Sequence, residues 1–415
     1  MIRHRLALAL VASALAVGAV ACSSDDANDT PTDTGTSADI GGDTSADTGD
    51  DAASEDTTPS TDTTPGDVGG GPIAIEPDTV GPWSASFRRV EVTVGDRVLP
   101  VGIWAPSHEA SASVGLDALV PADRSAQIAE LVTAAPAGCP TTSLDVVVDG
   151  TIAEGSWPVV LYSHCHTCLG ISGATTAHRL ATWGFVVLAP DHVGNTLYDE
   201  LEGEGIESFE AFLPVRAADL IGVLDALEAG EGDLAAVRDE VDPGMVATVG
   251  HSFGAVTAAY VAQEDDRIDA TVALAAPIEN PLIPGVDAAS FDTPLVLVLA
   301  GEDNSIQEVG NLFLRQNFEA TVGPTWLVEI ADAGHWSVSD LCGMTETFLP
   351  GCGDATRQTN GEAFTYPDPS SIRAHAAAWV TALLGVELRQ DDGARAWLAS
   401  PTAIEGQTVQ TRNVD

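Results

Sequence analysis

Gly250-His251-Ser252-Phe253-Gly254 is the stretch of this chain whose residue types could do chemistry. It reads G-x-S-x-G. The apolar, β-branched run Met245–Val249 precedes it, and Ala255–Val261 reads as a helix start after it. Strand, sharp turn and helix is the context that lifts a serine hydroxyl out of a sheet as a nucleophile. So tight a turn needs small residues beside the serine, and Gly250 and Gly254 supply them. Ala258 lets the helix pack close to the sheet. A serine hydroxyl is a weak nucleophile, so it needs a base oriented by a third group. In this context the chain order is Ser, then Asp or Glu, then His. The apolar run Leu295–Leu299 ends at Ala300-Gly301-Glu302-Asp303, which puts Asp303 where the acid belongs and leaves Glu302 as reserve. Asp303 in that place also suits a helix N-cap. The run Trp326–Ile330 leads to His335 in the next loop, the place of the base. Asp332 is a weaker acid, being too near His335 in sequence. A tetrahedral intermediate also needs backbone N–H donors. Phe253, after the serine, supplies one. The second belongs to the loop after the strand Trp157–Tyr162, that is, to residues 163–170.

The elements that must position these residues alternate. Phe87–Val94 and Val98–Trp104 flank Gly95-Asp96 and read as a hairpin. Apolar runs at Trp157–Tyr162, Phe185–Ala189, Val272–Ala275 and Leu295–Ala300 alternate with helical stretches at Gly173–Thr182, Pro214–Leu227 and Ser305–Phe318. In the second of these Leu220, Val223, Leu224 and Leu227 share a face, and Pro214 suits a first turn. Such alternation predicts an α/β fold, a mostly parallel sheet with helices on both faces. Ligands gather at the carboxyl ends of its strands. Leu197–Leu213 reads as a flap over that end, and His192 as a residue lining the pocket. Arg216 and Asp219 read as a structural pair, and His251 as a packing or hydrogen-bonding residue.

Specific stretches carry a resemblance. Val94–Trp104 resembles the entry hairpin of α/β-hydrolases of the dienelactone hydrolase type, in the branch near the platelet-activating-factor acetylhydrolases. Pro158–His166 is similar to that branch's PxVxxSHG strand and loop, and Trp183–His192 to its GxVVxAxDH strand. Arg216–Leu220 with Leu224–Leu227 resembles the helix before the elbow. The similarity runs from about Phe87 to Leu384, with an insertion near Pro106 to Gly155. It implies the α/β-hydrolase fold and makes the N–H of His166 the second oxyanion donor. Cys165 stands where the family has glycine, so the turn there must differ. His164, Cys165, His166 and Cys168 invite a zinc reading, but adjacent ligands on one tight turn converge poorly on one ion. A disulfide through Cys168 that stiffens the loop fits better.

The whole chain bounds these readings. Residues 1–22 carry Arg3 and Arg5, an apolar run, and Ala19-Val20-Ala21-Cys22, a lipoprotein-type signal with Cys22 as the lipidated residue. Plain secretion is the alternative. Residues 23–80 read as a disordered tether rich in Asp, Thr, Ser and Gly. The catalytic domain spans 81–388 and a C-terminal extension 389–415. The formal net charge of −46 repels nucleic acid and anionic membranes. No residue is lysine, which excludes Schiff-base and P-loop lysine chemistry. Among the cysteines after Cys22, Cys342 and Cys352 are the expected pair, and Cys139 pairs with Cys165 or Cys168, an odd number leaving one thiol free. The reading is an exported serine hydrolase, lipid-anchored or secreted, that cleaves carboxylic esters through Ser252, His335 and Asp303. It needs no cofactor and no metal. Its partner is a small-molecule or lipid ester, and it meets a membrane only through the anchor. The alternatives are a non-catalytic surface binding protein on the same fold, or a peptidase or thioesterase.

Overall fold

The computed structural model describes residues 73–139, 141–206 and 208–414. The signal segment, Cys22 and most of the tether lie outside the described residues. The strands are β1 (Ser84–Val94), β2 (Arg97–Ser107), β3 (Ala112–Gly115), β4 (Ser143–Val148), β5 (Trp157–Ser163), β6 (Val186–Pro190), β7 (Val241–His251), β8 (Ile268–Leu274), β9 (Leu295–Ala300), β10 (Thr325–Ile330), β11 (Asp354–Thr356), β12 (Ala363–Thr365) and β13 (Gln407–Arg412). The helices are α1 (Ala122–Ala134), α2 (Ala174–Thr182), α3 (Leu197–Glu202), α4 (Phe209–Ala229), α5 (Ala235–Arg238), α6 (Phe253–Glu264), α7 (Gln307–Ala320), α8 (Pro369–Arg389) and α9 (Asp392–Ala399).

The central sheet runs β13-β10-β9-β8-β7-β5-β6-β2-β1-β4-β3, and β11 pairs only with β12. From β6 through β10 all neighbours are parallel. The hairpin β1–β2 turns at Gly95-Asp96, where Val94 faces Arg97 and Gly95 has φ +57°. Strands β6 and β9 are buried at every position. A strand covered on both faces reads as a continuous apolar run, which is why these stood out in the sequence. One face is covered by α2 and α8, the other by α4, α6 and α7. The chain leaves β5 for β6 on one side, then returns to place β7 on the other. Strand order therefore reverses between β5 and β7, and the loops after these two strands diverge to open a crevice.

Three expectations need correction, and one open question is answered. The tether ends before residue 80: Ile75 is buried and its N–H donates to Asp391 at 3.0 Å, because a lone isoleucine finds an apolar slot beside α8 and α9. Helix α4 starts at Phe209, not Pro214. Ser208 caps it by accepting from the Ala211 N–H at 3.0 Å, and Pro214 lies inside. The C-terminal extension, whose packing the sequence left open, joins the domain: β13 forms an edge of the main sheet, antiparallel to β10. Finally, the disulfides are Cys139–Cys352 and Cys165–Cys168. Cys342 is free and buried. The chain at Gly343 (φ +83°) leaves no room for a Cβ, which would sit 2.4 Å from the Cβ of Cys139. Cys139 therefore reaches Cys352 across Gly343, while burial pushes the Cys342 thiol up to about 12.

Candidate active site

The turn after β7 is forced by sterics. A Cβ on Gly254 would sit 1.9 Å from the carbonyl oxygen of Ser163, and one on Gly250 would sit 2.0 Å from the Gly254 carbonyl oxygen. Only glycine lets the start of α6 lie against the end of β5. Between them Ser252 adopts φ +57°, ψ −121°, a conformation that non-glycine residues reach at a cost of about 1–3 kcal/mol. The Ser252 N–H donates to the Leu274 carbonyl at 2.9 Å, which ties the turn to β8. The side chain is thereby held at the head of α6, facing a cleft.

Asp303 and His335 arrive from the ends of β9 and β10. His335 Nδ1 lies 2.7 Å from Asp303 Oδ2, and His335 Nε2 lies 2.8 Å from Ser252 Oγ. The carboxylate accepts from Nδ1–H, which leaves Nε2 free to accept the serine proton. Asp303 is fully buried and His335 nearly so. The second carboxylate oxygen accepts from the N–H groups of Ser305 (3.0 Å) and Ile306 (2.9 Å). One side chain thus both holds the turn ahead of α7 and orients the imidazole, although the N-cap position of α7 itself falls on Ile306. Glu302 turns away to Arg357 at 3.1 Å and the Gln358 N–H at 2.8 Å, and Asp332 also pairs with Arg357. His251 Nε2–H donates to the His335 carbonyl at 2.9 Å, fixing the backbone that carries the base.

The Phe253 N–H is the first of α6, so no carbonyl four residues back accepts it. The His166 N–H likewise has no acceptor among the described residues. Both residues line the cleft that holds Ser252 and His335. The departure at Cys165 is accommodated by its disulfide to Cys168 and by Thr167, which takes the positive φ of +53°. With both sulfurs in that bond, the loop offers no thiolate to a metal.

The sequence reading missed what lies beneath. His192 does not line the pocket. It is fully buried, with Nδ1 2.9 Å from Asp219 Oδ2 and Nε2 3.1 Å from Ser163 Oγ. Nor do Arg216 and Asp219 form a direct pair. Asp219 takes Arg97 at 2.7 Å, while Arg216 donates to Asn195 Oδ1 (2.7 Å), Ser163 Oγ (3.0 Å), Thr257 Oγ1 (3.2 Å) and the His164 carbonyl. Burial pushes His164, His192 and His251 well below the usual imidazole range, so all three stay neutral. The adjacent Arg216 guanidinium adds to the effect at His164 and His192. Only an arginine at 216 in a stretch of apolar helix signalled this network.

The cleft encloses about 540 Å³. Phe209, Phe253, Val256, Ile283, Phe313 and Trp336 dominate its walls, and among the described residues no Asp, Glu or Arg lines it. Phe209, at the end of the presumed flap, is one wall rather than a cover, packed edge-on to Phe253 at 4.9 Å.

Sheet order, crossovers and elbow define the α/β-hydrolase fold. Residues 146–336, from within β4 to Trp336, match the model of the Dienelactone hydrolase family. Among solved structures, the chain is similar to a ferulic acid esterase from Streptomyces cinnamoneus, at TM-score 0.59 and 20% identity, over 80% of this chain and 96% of that one. At that identity the likeness speaks for the fold. No curated protein matches the chain.

Proposed function

We propose that this protein is an exported serine hydrolase that cleaves uncharged carboxylic esters. The observation that carries the reading is the continuous line Asp303–His335–Ser252, with contacts of 2.7 and 2.8 Å, ending at the floor of an apolar cleft. Ser252 Oγ attacks the ester carbonyl as His335 Nε2 takes its proton. The carbonyl carbon becomes tetrahedral and its oxygen gains the charge, which the N–H groups of Phe253 and His166 stabilise. Removing one such donor in a related site costs about 3 kcal/mol. The intermediate collapses, His335 returns the proton to the departing alcohol, and an acyl-serine remains. Water, deprotonated by His335, then releases the acid. Asp303 holds the imidazole in the tautomer that this sequence needs. The Dienelactone hydrolase family match and the esterase whose structure is similar both favour ester chemistry.

The test is turnover of p-nitrophenyl butyrate. Wild type hydrolyses it and Ser252→Ala does not, while the variant unfolds at the same temperature. Equal rates in the two would remove Ser252 from the mechanism. Export is supported by two disulfides among the described residues, which persist in oxidising compartments. Lipid attachment at Cys22 is tested by labelled palmitate, which the Cys22→Ala chain should fail to incorporate.

A further inference from the structure

The buried arginine network ends at a side chain in the cleft wall, and hydrogen-bond chemistry fixes the state of that side chain. Arg216 is fully buried and donates only. Its Nη1 faces an Asn195 atom at 2.7 Å, so that atom must be the amide oxygen. The Asn195 Nδ2 group is then the one facing His166 Nδ1, also at 2.7 Å. An amide NH2 can only donate, so Nδ1 of His166 must be the bare, accepting nitrogen. Burial keeps His166 below the usual imidazole range and therefore neutral near pH 7; the Arg216 cation acts in the same direction, while the Asn195 contact and the Glu200 carboxylate oppose it without reversing it. A neutral imidazole with a bare Nδ1 carries its proton on Nε2.

That Nε2–H has no acceptor among the described residues, and it is not sealed from solvent. Its ring forms part of the cleft wall beside Ser252 and stands edge-on to Phe209 at 4.7 Å. Asn195 is buried on the Nδ1 side of the ring. Arg216 itself cannot enter the cleft. It is tied to Ser163, the His164 carbonyl and Thr257, and its guanidinium lies 4.6 Å from the centroid of the Phe253 ring. A side chain needed only for packing would do better as a hydrocarbon, because burying an arginine, an amide and an imidazole costs desolvation that packing does not require.

We propose that His166 contacts substrate through its side chain as well as its backbone. The Nε2–H, oriented by Arg216 through Asn195, donates to a neutral oxygen on the acyl group, and so selects uncharged esters bearing an ether or carbonyl acceptor near the scissile bond. The proposal rests on the ester-hydrolase reading. It supplies the polar element that the apolar walls do not. A carboxylate would not be favoured there: the donor is uncharged, no arginine among the described residues lines the cleft, and the net charge of −46 opposes anions. His166 is thus a substrate-contacting residue, and Asn195 and Arg216 are positioning residues.

The experiment compares p-nitrophenyl methoxyacetate with p-nitrophenyl butyrate, two esters of equal length that differ by an oxygen in place of a methylene. Rates are normalised to active sites counted with a fluorophosphonate. The readout is the ratio of the two kcat/KM values, so that intrinsic ester reactivity cancels between enzymes. His166→Phe keeps a ring in the wall and removes the donor, and should lower the ratio about 3- to 10-fold, the worth of one neutral hydrogen bond. Asn195→Asp is the second variant. Its carboxylate accepts from Nδ1–H, so Nε2 bears a proton only while the imidazole is charged. The ratio in this variant should fall as pH rises through the imidazole titration, whereas the wild-type ratio stays flat. An unchanged ratio in His166→Phe, or a flat profile in Asn195→Asp, overturns the proposal. Failure of wild type to cleave either ester overturns the ester-hydrolase reading instead.

Discussion

Two Ser–His–Asp sets sit among the described residues, and single residues decide which one can react. Ser163, His192 and Asp219 have contacts of 3.1 and 2.9 Å, yet all three are sealed from solvent, and Arg216 occupies the serine oxygen as a donor. Ser252, His335 and Asp303 have similar distances but open into the cleft. Accessibility, backbone strain and the arginine donor on Ser163, rather than the Ser–His–Asp contacts themselves, separate the two. The acid of the open set also caps the turn at Ser305 and Ile306, so its removal confuses two roles. Asp303→Asn separates them. The amide oxygen still accepts from the two backbone N–H groups, but the amide nitrogen cannot accept from Nδ1–H of His335. The wrong imidazole tautomer should lower kcat on the order of 10⁴-fold, by analogy with other triads, with little change in melting temperature. A loss under tenfold would show that Asp303 does not orient the base.

At the scale of elements, β7 and α6 meet at a turn with no room for side chains at Gly250 or Gly254. This joint was legible because five consecutive residues encode it, and Asp303 and His335 were legible because each follows an apolar run that could only be a buried strand. The network under the oxyanion loop was not legible. Asn195 comes from a loop after β6, Arg216 from α4 and His166 from the loop after β5, and no local pattern shows that they converge. The start of α4 was misplaced because Pro214 suits a first turn as well as it tolerates an interior one, and the capping Ser208 was the better signal. The cysteines misled for a related reason. Nearness in sequence favoured Cys342 with Cys352, but direction put Cys139 opposite Cys352. That bond pins the insertion between β2 and β5 to the loop carrying Gly351, whose carbonyl accepts from Ser337 Oγ beside His335. Cys139→Ser with Cys352→Ser should cost about 2–5 kcal/mol of unfolding free energy, whereas Cys342→Ser should cost far less. The reverse order, by denaturant unfolding, would reject the pairing.

The molecule as a whole couples its core to pH through histidines held neutral. Burial depresses His164, His192 and His251 well below 6.5, the value they regain on unfolding. Below pH 6.5 the unfolded chain therefore binds protons that the native one refuses. Stability is fully present above that pH and is lost as pH falls toward the native values. Each group contributes a slope of about 1.4 kcal/mol per pH unit in that window. The melting temperature should fall steadily from pH 7 to pH 5, and replacing one of the three by an uncharged residue should flatten the descent. A melting temperature constant over that range would contradict neutral burial. The parallel sheet, the helices on both faces and the cleft at the strand ends were all readable from alternating apolar runs. The edge strand β13 was not, because Gln407–Arg412 is largely polar and earns its place only by pairing with β10.

The most direct measurement is covalent trapping. The native protein is treated with a fluorophosphonate, digested, and the modified peptide located by mass spectrometry. A single phosphonyl group on Ser252, lost when His335 is replaced by alanine, is the expected result. An unmodified Ser252, or a label on another serine such as Ser163, would contradict an activated nucleophile at the head of α6.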